Sequence, residues 1–160
     1  EQILPRAKRI VEPLPVQTGG PKILAGVMGP KSIAAAARYS DGLSGFSFMA
    51  SLDDIKKSFD AFREAWLAEG RSGKPRLIAS FWYGIEKTGK EQMVRHLQRY
   101  LNFMPQQVVD TVLPDAGFNG SIGDLKSFLQ EIKALGADDV ILVPTSNDIN
   151  EINLIAREIF

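Results

Sequence analysis

The residues most suggestive of chemistry lie in one short turn, Ala25-Gly26-Val27-Met28-Gly29-Pro30. Its small residues let a backbone come close to an anion. The amides of Val27, Met28 and Gly29 would point toward the bound group, and a helix opening at Pro30 would add the positive end of its dipole. Lys31 and Ser32 follow within reach of a phosphate. Glycine in a tight strand-to-helix turn also serves geometry alone, so both readings stay open here. The second set is Ser80-Phe81-Trp82-Tyr83-Gly84, at the end of an apolar run. An aromatic there, Trp82 above all, packs on a flat ring or an apolar substrate, or else fills the core between strand and helix.

The other polar residues read as structural. His96 is the only histidine, expected mid-helix between Arg95 and Arg99 and away from any strand end. One imidazole builds neither a catalytic triad nor a histidine metal site. Asp53-Asp54 fall in the first turn of a helix and Asp138-Asp139 precede a strand, where capping and solvation explain them. Thr145-Ser146-Asn147-Asp148 close the last strand at the polar rim and read as an N-cap cluster for the final helix.

Composition narrows the classes further. Cysteine is absent, which removes disulfides, thiolate zinc sites and cysteine nucleophiles. The 19 basic and 19 acidic side chains cancel, so no net field favours nucleic acid. No apolar run reaches the roughly 18 residues of a membrane helix. No metal, no nucleic acid and no membrane are therefore expected, and the cytoplasm is the expected compartment.

Four apolar runs would position these residues: Lys22 to Val27, Gly42 to Phe48, Arg76 to Tyr83 and Asp139 to Pro144. The first and last are nearly continuous, the pattern of strands buried on both faces. Between them lie helical patterns over 31–39, 52–69, 90–104, 106–113, 122–135 and 148–160. The stripe Ile122, Leu125, Phe128, Leu129, Ile132 and Leu135 is the clearest, with Ser121 and Asp124 as a capping box and Gly136 as a stop. Residues 1–21, with Pro5, Pro13, Pro15 and Pro21, read as an extended lead-in after a short helix.

Alternation of helices with buried strands predicts an α/β fold with a parallel sheet, a single domain over 1–160. Four β/α units are half of a (β/α)8 TIM barrel. A sheet of this kind standing alone exposes two edges, so a missing partner is expected.

The stretch PKILAGVMGPKSIAAAARYSDG, Pro21 to Gly42, resembles the bacterial luciferase-like monooxygenase family. Proline precedes an apolar strand ending in glycines, then come an alanine-rich helix with Ala-Arg-Tyr and an Asp-Gly. Pro15-Val16-Gln17, Gly70-Arg71-Ser72, and Gly120-Ser121 leading to Leu135-Gly136-Ala137-Asp138 fall in the family's order. The resemblance implies a flavin-type (β/α)8 barrel, usually a dimer, of which this chain supplies about four C-terminal β/α units. It implies flavin mononucleotide (FMN) with oxygen, or a deazaflavin coenzyme, as cofactor. Gly26, Val27, Met28 and Gly29 would lie at its phosphate, with Gly45 and Phe46 beside them and Trp82 at the ring or substrate. Catalytic residues would belong to the N-terminal half-barrel. Two other readings are a non-catalytic, oligomerising half-barrel and a barrel that binds another phosphorylated metabolite at the same turn.

Overall fold

Apolar runs that cannot satisfy their backbone alone pair into a parallel sheet, and the amphipathic stretches between them return as helices. The computed structural model describes residues 13–159. In order these are β1 (Leu24–Ala25), α1 (Pro30–Ala37), β2 (Gly42–Phe46), α2 (Leu52–Ala68), β3 (Arg76–Ile85), α3 (Gly89–Tyr100), α4 (Gln106–Val112), β4 (Phe118–Gly120), α5 (Ile122–Ala134), β5 (Asp139–Pro144) and α6 (Ile149–Ile159). Every pairing is parallel, with β1 on β2, β2 on β3 and β5 on β3. The α/β class, the parallel sheet and the alternation of β/α units are as the sequence led us to expect.

One strand was not expected. Tyr83 pairs with both Phe118 of β4 and Pro144 of β5, so these lie on opposite sides of β3. β4 therefore continues the edge that β2 leaves at Ser80, and Gly117 N donates to Phe48 O across the junction (2.7 Å). Three residues are too few to carry a strand period in the sequence. Their pairing also lengthens β3 to Ile85, two residues beyond the expected end.

Alternation along the strands sorts the side chains onto two faces. Leu77, Ala79, Phe81, Tyr83 and Ile85 of β3 join Leu43 and Ala25 in the larger core, against Ile33 and Ala36 of α1, Phe59 and Phe62 of α2, Leu125 and Ile132 of α5, and Ile155 of α6. The opposite, inner face carries Trp82, packed against Met93 and Leu97 of α3 and Val109 of α4.

The expectation that the first and last strands are buried on both faces is corrected. They are the outer strands of the sheet. Ile23 is 53% exposed and Ile141 48%; among the described residues β1 and β5 each have one neighbour, and Ile141 lies on the inner face. Of the lead-in, residues 13–21 form bends and turns; the short helix expected before them lies outside the described residues.

Local signals set the helix ends. Ser121 and Asp124 form the capping box that begins α5. Ser51 Oγ accepts from Asp54 N at the start of α2, whose first turn holds Asp53 and Asp54. Asp138 and Asp139 do more than solvate. Asp138 Oδ2 accepts from Leu77 N (2.8 Å), and Arg76 donates to Asp139 Oδ2 (2.6 Å), so the pair locks β5 beside β3. Gly42 has no room for a side chain, since a Cβ there would run into the backbone of Arg76. Asp41 accepts from Ile23 N and Lys22 Nζ, which hold its carboxyl below the ordinary carboxylate range, the backbone bond contributing most. The Asp-Gly motif is thus a joint between strands.

Candidate functional site

In parallel α/β sheets, binding sites form where the strands end and the next helices begin. At that end of β1, Ala25 and Val27 turn into the helix-side core, leaving Gly26 on the inner face. A Cβ at Gly26 would meet nothing within 4 Å, and one at Gly29 would meet only Ser32 Oγ, at 3.5 Å. The turn is open, and Met28 is 59% exposed.

Gly29 is the N-cap of α1, with extended backbone and no side-chain cap, and Pro30 follows it. No acidic residue occupies the first turn of α1, while Ser32 Oγ donates back to Gly29 O (2.8 Å). By contrast α2 and α5 have their first amides occupied by serine side chains. An uncapped helix start with Lys31 beside it is chemically fitted to an anion.

Register carries the site across the sheet. Ala25 pairs with Leu43, so the turn after Ala25 opens at the same end of the sheet as Gly45 and Phe46, the last residues of β2. Gly45 itself turns toward α2, sharing a small crevice with Ile55 and Phe59, and its carbonyl accepts from Ser80 Oγ (2.6 Å). Phe46 lies against the inner-face cluster, its ring centroid 4.6 Å from Trp82 in an edge contact. Gly26, Phe46 and Trp82 therefore share the inner face, and Gly45 stands behind it.

Trp82 is only 4% exposed. The rings of Phe46, Phe48 and Tyr100 all meet it edge-to-face, at 4.6, 5.4 and 6.0 Å. Buried among these rings, the side chain shapes the inner face by packing against Phe46 and Phe48.

The expectation that His96 lies away from any strand end is corrected. α3 folds back over the strand ends instead of joining the outer helix layer, which brings His96 to the rim. There Gln92, Arg95, His96 and Arg99 face Thr145, Ser146, Asn147 and Asp148 across a cavity of ≈ 580 Å³. The imidazole stacks on Tyr100 (6.0 Å, 13°). Asp148 does cap, its Oδ1 accepting from Asn150 N (2.9 Å), and Thr145 Oγ1 donates to Tyr83 O (2.8 Å). Burial pushes the Tyr83 hydroxyl up to about 12, with Glu151 adding to the shift. Glu151 is pushed up as well, by burial first and by Asp148 second.

The 3.6-residue spacing of 92, 95, 96 and 99 was visible in the sequence, but not what faced it. Among the described residues no group of three or more histidines and carboxylates is placed to hold a metal ion. None of their helices is long and apolar enough to cross a membrane.

Comparison with known proteins agrees with this architecture. No curated protein sequence matches the chain. Among solved structures it is similar to an F420-dependent secondary alcohol dehydrogenase in complex with an F420-acetone adduct (TM-score 0.65, 17% identity, 84% of this chain and 46% of that one). It is similar to a monooxygenase from Streptomyces bottropensis (0.59, 19%, 92% and 50%). A third is the coenzyme F420-dependent tetrahydromethanopterin reductase from Methanopyrus kandleri (0.60, 15%, 83% and 48%). The chain spans about half the length of these structures. The family model for luciferase-like monooxygenases matches residues 4–140, most of the sequence, and the chain belongs to that family.

Proposed function

We propose that this chain is part of a flavin- or deazaflavin-dependent oxidoreductase, and that its β1–α1 turn receives the cofactor's phosphate. The observation that carries the reading is the start of α1, uncapped by any side chain, free of acidic residues and opening from a glycine turn with space above it. The residues present fit a phosphate. Gly26 leaves room for approach, the amides of Val27 to Gly29 and the helix start offer donors, and Lys31 adds a charge. Phe46 contributes an apolar wall on the same inner face, backed by Trp82.

When bound, the cofactor supplies hydride or electron transfer, and the protein's share is binding, orientation and exclusion of water. Family membership and the two F420-dependent neighbours support this class; FMN and a deazaflavin remain equal candidates. The outer edges of β1 and β5, unpaired among the described residues, support a further reading, that residues 1–160 act as one half-barrel completed by other β/α units or by a second copy of the chain. The catalytic groups then belong to that other half.

The test is titration of the intact protein with FMN and with a deazaflavin, following quenching of the ring's fluorescence. Saturable quenching that Lys31→Gln weakens is the expected result. Tight binding of a phosphorylated sugar at the same turn, with neither ring compound bound, would move the assignment to another phosphorylated metabolite.

A further inference from the structure

The rim cavity between α3 and the β5–α6 loop is lined by groups that the cofactor reading does not use. Gln92, Arg95, His96 and Arg99 sit at i, i+3, i+4 and i+7 and so share one face of α3. Arg95 meets Glu91 only at 3.9 Å, and among the described residues Arg99 pairs with no carboxylate. Opposite them, Ser146 Oγ accepts from Asp148 N, which leaves its hydroxyl proton free to donate outward. Asn147 adds an amide to the lining.

The one carboxylate in the lining is Asp148, and Asn150 engages it through both N (2.9 Å) and Nδ2 (2.9 Å) at the head of α6. Glu151, one turn in, is half-buried with Oε1 unpartnered. Two guanidinium groups and an imidazole therefore line the cavity against one carboxylate that is already engaged.

We infer that this cavity is an oxyanion-binding subsite, taking a phosphate or carboxylate group through Arg95, His96, Arg99 and Ser146. It is separate from the β1–α1 turn. β5 stands three strands from β1 in the sheet, which at normal strand spacing is about 14 Å. One phosphate cannot occupy both. The inference deepens the proposed function by giving the substrate, or the far end of the cofactor, an anionic group. It rests on that reading only for the choice of this end of the sheet as the working end.

His96 provides its own probe, because a sole histidine gives an unambiguous imidazole proton signal in NMR. The intact protein is titrated with inorganic phosphate and, separately, with acetate, each at constant ionic strength held with sodium chloride. A saturable shift of the His96 signal is the expected result, with the midpoint raised roughly tenfold in Arg99→Gln, the effect of losing one charge-assisted hydrogen bond. Arg95→Gln is the second variant; both side chains are exposed, so the fold is unaffected.

Saturation by phosphate alone assigns a phosphoryl group, and saturation by both anions assigns a general oxyanion. A shift that chloride reproduces, or one that neither arginine variant weakens, overturns the inference. Loss of flavin quenching with an intact His96 titration would instead sink the cofactor reading and leave this one standing.

Discussion

Gly26→Ala separates a cofactor turn from a merely tight turn, because the two predict opposite effects. An alanine Cβ at Gly26 meets no atom within 4 Å, and the residue is not among the glycines with positive φ. The substitution therefore costs the fold nothing. It gains about 0.4–1 kcal/mol by restricting the unfolded chain, a rise in Tm of roughly 1–4 °C for a protein of this size. The methyl group nevertheless stands on the inner face where a phosphate would approach. Displacing that phosphate from one charge-assisted amide bond loses about 1.5–3 kcal/mol, or roughly 10- to 100-fold in affinity. Fluorescence quenching of FMN and of a deazaflavin measures the affinity, and differential scanning calorimetry the stability. Unchanged affinity for both would remove Gly26 from the phosphate site. A fall in Tm of several degrees would refute the open turn itself. Gly29→Ala should behave alike, its Cβ making an ordinary 3.5 Å contact with Ser32 Oγ.

Three further outcomes follow from packing and charge. Arg71 lies 3.6 Å over the Trp66 ring and donates to the carbonyls of Ala37 and Ser40 at the end of α1. Arg71→Met should cost about 2–4 kcal/mol in urea unfolding, and Arg71→Lys should restore little of it for want of a planar fork; a loss below about 0.5 kcal/mol would contradict this role. Trp82→Leu should cost about 1–3 kcal/mol, since the side chain is 4% exposed; full stability combined with lost cofactor affinity would mean that Trp82 touches the ring directly. Tyr83 gives a pH dependence. Its folded value of about 12 lies above the ordinary 10.0, so between these the unfolded chain gives up the proton first and stability falls as pH rises. Thermal melts from pH 9 to 12 should show this slope reduced in Tyr83→Phe, and identical slopes would rule Tyr83 out as its source.

What the sequence made legible is what short-range chemistry decides. The capping box at Ser121 and Asp124, the aspartates heading α2 and the Asp41-Gly42 joint all follow from residues within a few positions of one another. The apolar runs also located the four main strands, because a buried parallel strand needs little more than continuous apolar side chains. Their exposure was not legible in the same way. Ile23 and Ile141 lie in runs with the composition of doubly covered strands, and only what packs over each face and beside each edge decides whether that cover is present.

The rim cavity escaped for a different reason. The stripe Met93, Leu97 and Leu101 announces a helix that buries one side, but periodicity does not say which surface it is buried against. The turn before it is closely built. β3 ends at Ile85 and α3 begins at Gly89, and a Cβ at Gly84 or at Gly89 would strike the other's backbone. Glu86 takes a positive φ of 63° to close this reversal, and its amide donates to Gly120 O. Beyond this reversal Met93 and Leu97 pack on Trp82 of the inner face, so α3 lies across the strand ends and not in the outer helix layer. Its polar side, Gln92 to Arg99, is thereby set against the loop that follows β5. What reads as a surface histidine helix thus becomes one wall of a basic cavity because its apolar stripe meets the inner face, and that consequence exists only once the backbone has reversed.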